Sequence, residues 1–276
     1  MGRLTGKVAL VTGAARGQGR SHAVRMAEEG ADVIAVDLCD QIATVGYPLA
    51  SRDDLDQTVK QVEALDRRIV AEQGDVRDLA AMRGLVERGV AELGPIDIVV
   101  ANAGIFSPAL TIDMEEQAWH DVIDTNLTGV WNIVRAAAPG MVERGAGGSM
   151  ILISSTAGIK GLPMLGHYTA AKHGVVGLMK SLAQELGPHR IRVNTIHPSS
   201  VNTPLVQNDV MYKLFRPDLE NPGASDFGEL FQTLHLLPEQ WVEPRDISNA
   251  VVFLASEEGQ YITGTQLKVD LGFTEK

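Results

Sequence analysis

An α/β fold in a single domain, a doubly wound parallel sheet of about seven strands flanked by helices, is predicted by three features of this 276-residue chain. Short apolar runs alternate with longer stretches in which apolar residues recur at helical spacing. Lys7-Val-Ala-Leu-Val-Thr12 runs straight into Gly13-Ala-Ala-Arg-Gly17-Gln-Gly19 and then into a helical pattern carrying Ala23, Met26 and Ala27. The run Ile96-Asp-Ile-Val-Val-Ala101 is apolar nearly throughout, as a parallel strand covered on both faces must be.

The length suffices for one large domain with a generous core. A net charge of −11 without a basic cluster argues against a nucleic-acid or anionic-membrane surface and points to small-molecule partners. The single cysteine, Cys39, cannot form an internal disulfide, and Met1–Gly6 carries no signal-peptide pattern, so a cytoplasmic location is expected. No apolar run approaches the ~20 residues of a membrane span. The seven histidines show no ligand spacing, and no metal is expected.

In chain order, the first strand, glycine turn and helix suit a pyrophosphate, which would sit on amides at the helix N-terminus while Gly13, Gly17 and Gly19 allow close approach. Ala31–Asp37 reads as the second strand. Asp37 falls eighteen residues after Gly19, close to the spacing of a ribose-binding acid, and a carboxylate there would accept from a 2′-hydroxyl and repel a 2′-phosphate. NAD is thereby favoured over NADP, with Arg16 as the opposing hint. Residues 38–52 have no clear period, and either cover the cofactor near its adenine end or form a surface insertion. A helix then starts at the Ser51-x-x-Asp54 cap and presents Leu55, Val59, Val62 and Leu65 on one face.

Ile69–Gln73 is a third strand, with Asp75 and Val76 placed to reach an adenine ring. A helix to about Leu93 and the strand Ile96–Ala101 follow, ending in Asn102-Ala103-Gly104 at a carboxyl edge, where open α/β sheets bind ligands. The next helix carries Trp119, Val122, Ile123, Val130 and Val134, with Asn126 as a polar residue among them that calls for a specific hydrogen bond. After Met150–Ser155, a sixth strand over Ile191–Ile196 ends at His197-Pro198, and Thr203 follows within reach of a nicotinamide carboxamide. Residues 203–244 lose regular pattern but carry Met211, Tyr212, Leu214, Phe215, Phe227, Phe231, Leu234 and Trp241, which suits short helices on a lid over an apolar pocket, or packing against another subunit. Val251–Leu254 and Gln266–Asp270 supply a last helix and strand.

Tyr168-Thr-Ala-Ala-Lys172 carries the chemistry. At i and i+4 of a helix the phenol and the ammonium share a face, and a cation there favours the phenolate, making the pair an acid/base device. Ser155, thirteen residues upstream at the end of a strand, would hold the substrate oxygen.

Thr12-Gly13-x3-Gly17-x-Gly19, Asn102-Ala-Gly104, Asn126, Ser155 and Tyr168-x3-Lys172 together resemble the short-chain dehydrogenase/reductase family over essentially the whole chain. The resemblance implies a Rossmann-type fold, Tyr168 as catalytic acid/base, Ser155 orienting the reacting oxygen, Lys172 on the nicotinamide ribose, and Asn126 completing a proton relay through water. It also implies a cofactor contacted by Gln18, Leu38, Pro198, Val201 and Thr203, and helices around Asn126 and Tyr168 that pair in a homotetramer. Gln18, the long segment after Asp37, Arg16–His22 and His197–Pro204 are similar to the mycofactocin-associated, carveol dehydrogenase-like subgroup. In that subgroup the extra loop holds NAD and electrons leave through mycofactocin. The implied activity is NAD-dependent oxidation of a secondary alcohol, carveol-like, or its reverse. An NADP-dependent ketoreductase and a non-catalytic nucleotide-binding sensor are the alternatives.

Overall fold

In the computed structural model, which describes residues 2–276, seven strands form one parallel sheet in the order β3-β2-β1-β4-β5-β6-β7. They are β1 (Val8–Thr12), β2 (Asp32–Asp37), β3 (Ile69–Gln73), β4 (Ile98–Ala101), β5 (Gly148–Ile153), β6 (Ile191–Pro198) and β7 (Gln266–Val269). The strand order reverses between β1 and β4, whose register pairs Ala9 with Ile98, and that reversal opens a crevice at the carboxyl edge.

Alternation along each strand divides the core. Ala9 and Val11 face the layer of α1 (Gly17–Glu28), α2 (Arg52–Glu63) and α9 (Pro244–Ala255). Val8 and Leu10 face α3 (Leu79–Leu93), α5 (Gly129–Arg144) and α6 (Gly166–Leu186) on the other side. Both faces are thus covered, which accounts for the unbroken burial of β1 and β4.

Helix α2 starts where its cap predicts. Ser51 accepts from the Asp54 amide and the Asp54 carboxylate accepts from the Ser51 amide, closing a capping box. Its buried face is Leu55, Thr58 and Val62, not Leu65, which is exposed because the helix ends at Glu63. The expected helix around Asn126 is interrupted. α4 (Glu116–Ile123) passes into one π-helical turn over Asp124–Thr128 before α5, and Trp119 lies on the outer side, 38% exposed.

A third apolar cluster lies over the carboxyl edge, outside both core layers. The lid region supplies α7 (Asp209–Phe215) and α8 (Ala224–Leu234), with Phe227 and Phe231 buried and their ring centroids 4.4 Å apart. The same cluster takes Ile42, Val45 and Tyr47 from the irregular segment 38–52. That segment therefore reaches from the end of β2 to the lid.

Candidate active site

The crevice at the carboxyl edge is lined in sequence order by the glycine turn, Asp37 and Leu38, Asp75 and Val76, Asn102–Gly104, then Tyr168, Lys172 and Thr203. Five crossover connections bring these distant residues together because every strand of a parallel sheet ends on the same side.

Gly13 and Gly17 take positive φ of 66° and 56°, and a Cβ on Gly19 would lie 1.8 Å from the Gly13 carbonyl oxygen. The turn is therefore closed to side chains and open to a ligand. Arg16, the N-cap of α1, makes no side-chain cap bond, so the amides of the first turn are free for an anion, and the buried Gln18 Oε1 has no hydrogen-bond partner among the described residues. Thr12 staples this turn to the end of β4, its Oγ1 accepting from the amides of Asn102 and Ala103, both at 3.0 Å. These features fit a dinucleotide pyrophosphate.

Asp37 ends β2 with its carboxylate accepting from the amides of Ala15 (2.9 Å) and Cys39 (3.2 Å). Burial pushes its pKa up, against those two hydrogen bonds. Arg16 lines the crevice beside Asp37, and its Nη2 donates to the Pro48 carbonyl in the insertion. Asp75 lines the crevice with its carboxylate held by Arg77, whose Nε donates to it at 2.8 Å.

Ser155 follows β5, Tyr168 and Lys172 occupy the first turns of α6, and Ser154 Oγ donates to the Lys172 carbonyl at 3.1 Å, locking the two segments together. Lys172 is almost fully buried. Its Nζ donates to the Ile153 carbonyl at 2.9 Å and lies 5.5 Å from the Tyr168 ring centroid. Burial brings the ammonium down to about 8. Burial also raises the Tyr168 phenol, with the Ser155 hydroxyl pulling the other way. Desolvation is the larger effect on both members of the pair.

Asn126 is fully buried in the π-helical turn, its Oδ1 accepting from the Ile105 amide (2.9 Å) and its Nδ2 donating to the Ile105 carbonyl (2.8 Å). A π-turn at such a position aims one side chain that a regular helix would leave elsewhere. Pro198 and Val201 stand apart from the crevice wall, Val201 being core that bridges to Val242, whereas Thr203, Pro204 and Leu205 line it.

Two residues escaped the sequence reading. His197 Nδ1 donates to the Ser155 carbonyl at 2.7 Å and so fixes the serine from the neighbouring strand; burial lowers its pKa, leaving the ring neutral. Proximity to Pro198 was its only signal. Tyr47 lines the crevice from within the insertion, with no periodic pattern to mark it. Among the described residues no group of three His, Cys, Asp or Glu side chains could hold a metal ion, and no helix is long and apolar enough to cross a membrane.

A nucleotide crevice that brings a phenol, an amine and a hydroxyl to one strand edge defines an oxidoreductase, and residues 7–212 match the family model for short chain dehydrogenases; the chain belongs to that family. Within it the chain is carveol dehydrogenase-like. It is 54% identical over 277 residues to the (-)-trans-carveol dehydrogenase of Rhodococcus erythropolis, covering 100% of both chains. It is 58% identical over 273 residues to a short-chain type dehydrogenase/reductase of Mycolicibacterium smegmatis, covering 98% of each. The crystal structure of carveol dehydrogenase from Mycobacterium avium in complex with NAD superposes with a TM-score of 0.99 at 53% identity, covering 100% of both chains.

Proposed function

We propose that the chain is an NAD-dependent dehydrogenase of a cyclic, carveol-like secondary alcohol, with Tyr168 as its acid/base and a tightly held cofactor re-oxidised by mycofactocin. The observation that carries this reading is the placement of Tyr168 and Lys172 in the same crevice as the glycine turn, with the Ser155 hydroxyl beside the Tyr168 phenol. Bound NAD supplies the hydride acceptor, nicotinamide C4. Ser155 Oγ holds the carbinol oxygen, and Tyr168 Oη takes its proton. Lys172, titrating at about 8, can take up or release a proton near neutral pH and keeps the charge that favours the phenolate within reach. Asn126, with its amide spent on Ile105, is proposed to serve the relay through its backbone while it holds the turn beside Lys172.

Preference for NAD rests on Asp37, with the Arg16 guanidinium engaged by the Pro48 carbonyl. Asp37→Ala should narrow the NAD/NADP preference by at least about tenfold, since removing the carboxylate removes both a ribose acceptor and a repulsive charge. Equal preference ratios in variant and wild type, from kcat/KM with each cofactor, would reassign the carboxylate to holding Ala15 and Cys39 alone.

Retention of the cofactor is supported by the way the insertion and the lid meet over the crevice, Val210 of α7 lying against Gly46. Assembly as a homotetramer is proposed from the helical faces of α4, α5 and α6, where Trp119 and Trp131 are exposed. The test is anaerobic. Carveol is added to the protein as purified, without free NAD, and reduced-nicotinamide absorbance is followed. A burst of about one equivalent per site that then stops is expected for held NAD. Steady turnover only after NAD is supplied would reject retention and the external acceptor. Failure of this and other cyclic alcohols to reduce either bound or added NAD would reject the substrate class.

A further inference from the structure

Tyr47 takes no part in the proton chemistry, yet it is 3% exposed in a segment without regular secondary structure. The segment is organised around one side chain. Gln41 Nε2 donates to the carbonyls of Ile42, Val45 and Tyr47 at 3.0–3.2 Å, and its Oε1 accepts from the Leu49 amide at 3.0 Å. Outward ties fix this knot in place: Thr44 Oγ1 donates to Asp121 of α4 at 2.7 Å, and Arg16 holds the Pro48 carbonyl.

The knot turns the phenol inward. Its ring centroid lies 5.1 Å from that of Phe106, whose own ring stands edge-on to Tyr168 at 6.4 Å, and the Phe106 amide donates to Tyr47 Oη at 3.3 Å. Tyr47 belongs to the apolar cluster of Ile105, Leu165, Met211 and the lid phenylalanines, against which Tyr168 is also packed. Holding a dinucleotide calls for amides, cations and ribose acceptors, and the glycine turn and Asp37 already offer them. An aromatic ring set among apolar side chains beside the catalytic phenol meets a different need.

We propose that Tyr47 is a specificity-determining wall of the substrate pocket, so that the insertion selects the alcohol by its bulk as well as covering the cofactor crevice. This rests on reading the crevice as an alcohol dehydrogenase site. Burial and the nearby Tyr168 raise the Tyr47 phenol, so it stays neutral while Tyr168 exchanges its proton. Phe106 lies between the two rings and transmits the position of one to the other.

The test uses the holoprotein with NADH bound and three cyclic ketones of rising bulk: cyclohexanone, carvone and camphor. Binding is read from nicotinamide fluorescence, turnover of the matching alcohols is measured in parallel, and NADH affinity is determined separately. Tyr47→Ala should raise the camphor/cyclohexanone affinity ratio by about tenfold, the scale on which a pocket discriminates by size. Tyr47→Phe, which keeps the ring, should leave that ratio unchanged, and Tyr47→Trp should move it about tenfold the other way. The opposite sign in the tryptophan variant carries the test should the alanine variant not fold. An unchanged ratio in the folded variants, with or without weaker NADH binding, overturns the wall. Ketone binding by the wild type without hydride transfer overturns the dehydrogenase reading instead, and the binding ratios still decide the wall. A wild type that binds none of the three ketones overturns both.

Discussion

Tyr168→Phe is expected to lower kcat by about a thousandfold, within the range of a lost general acid/base, while NAD affinity stays close to that of the wild type. The ring is kept, so its edge-on contact with Phe106 and its place in the first turns of α6 survive; only Oη is lost. Burial raises the phenol, and loss of its hydroxyl should cost no more than about 1 kcal/mol of stability. Steady-state turnover with carveol, a fluorescence titration with NAD and a thermal melt check the three parts. Turnover within a few-fold of the wild type would remove the proton transfer from Tyr168 and leave the crevice as a nucleotide-binding site.

Gly19→Ala should have the second largest effect, on binding and folding together. The added Cβ would meet the Gly13 carbonyl oxygen at 1.8 Å and Asn102 Nδ2 at 2.8 Å, both parts of the stapled turn. Backbone cannot yield as a side-chain end can, so the turn must open at a cost of about 3 kcal/mol. For a chain of this size that is a fall in Tm of roughly 6 °C or more. NAD affinity should drop on the order of a hundredfold, or about 2.7 kcal/mol, because the amides of the first turn of α1 no longer converge. Gly140→Ala in α5 is the control: nothing lies within 4 Å of its Cβ, and it should stabilise the protein by about 0.5 kcal/mol. Equal behaviour of the two variants would mean that the close approach at Gly19 is not what sets the turn.

The parts of this molecule that can be read from the chain are those fixed by neighbours in sequence. The Ser51/Asp54 box, the spacing of Tyr168 and Lys172, and the glycine turn after β1 are all local, and each is found where its residues place it. Asn126 was legible as a buried amide but its π-helical turn was not, since five residues of altered winding leave no trace in an apolar pattern. Thr58 was missed on α2 because its burial depends on the carbonyls of Ala14 and Ala15, which its hydroxyl meets at 2.9 and 3.1 Å across the fold. His197 was missed for the same kind of reason, its partner Ser155 lying on another strand. The apolar residues of 203–244 were recognisable as cover, but the cluster they join also takes Leu38, Ile42, Val45, Tyr47 and Leu49 from 38–52, which has no period at all. The balance of charge and burial at Tyr168 also lay beyond the sequence, because desolvation is a property of the assembled site.

The insertion has a kinetic meaning too. Pairing of β1 with β4 joins Ala9 to Ile98, so the chain must close a loop of about 90 residues before the central sheet can form. Residues 38–52 lie inside that loop. Lengthening it by about fifteen residues adds only about 0.2 kcal/mol to the closure entropy, because the dependence on length is logarithmic. The nucleation of the sheet is therefore almost indifferent to the insertion, and a segment inside the loop can grow or shrink without slowing assembly of the strands around it. What it adds is the local ordering of its own residues, met when Gln41, Thr44 and Tyr47 find their partners. The core scaffold and the cover of its crevice are thus separable in closure entropy: the insertion can change in length at almost no cost to the pairing of the strands around it.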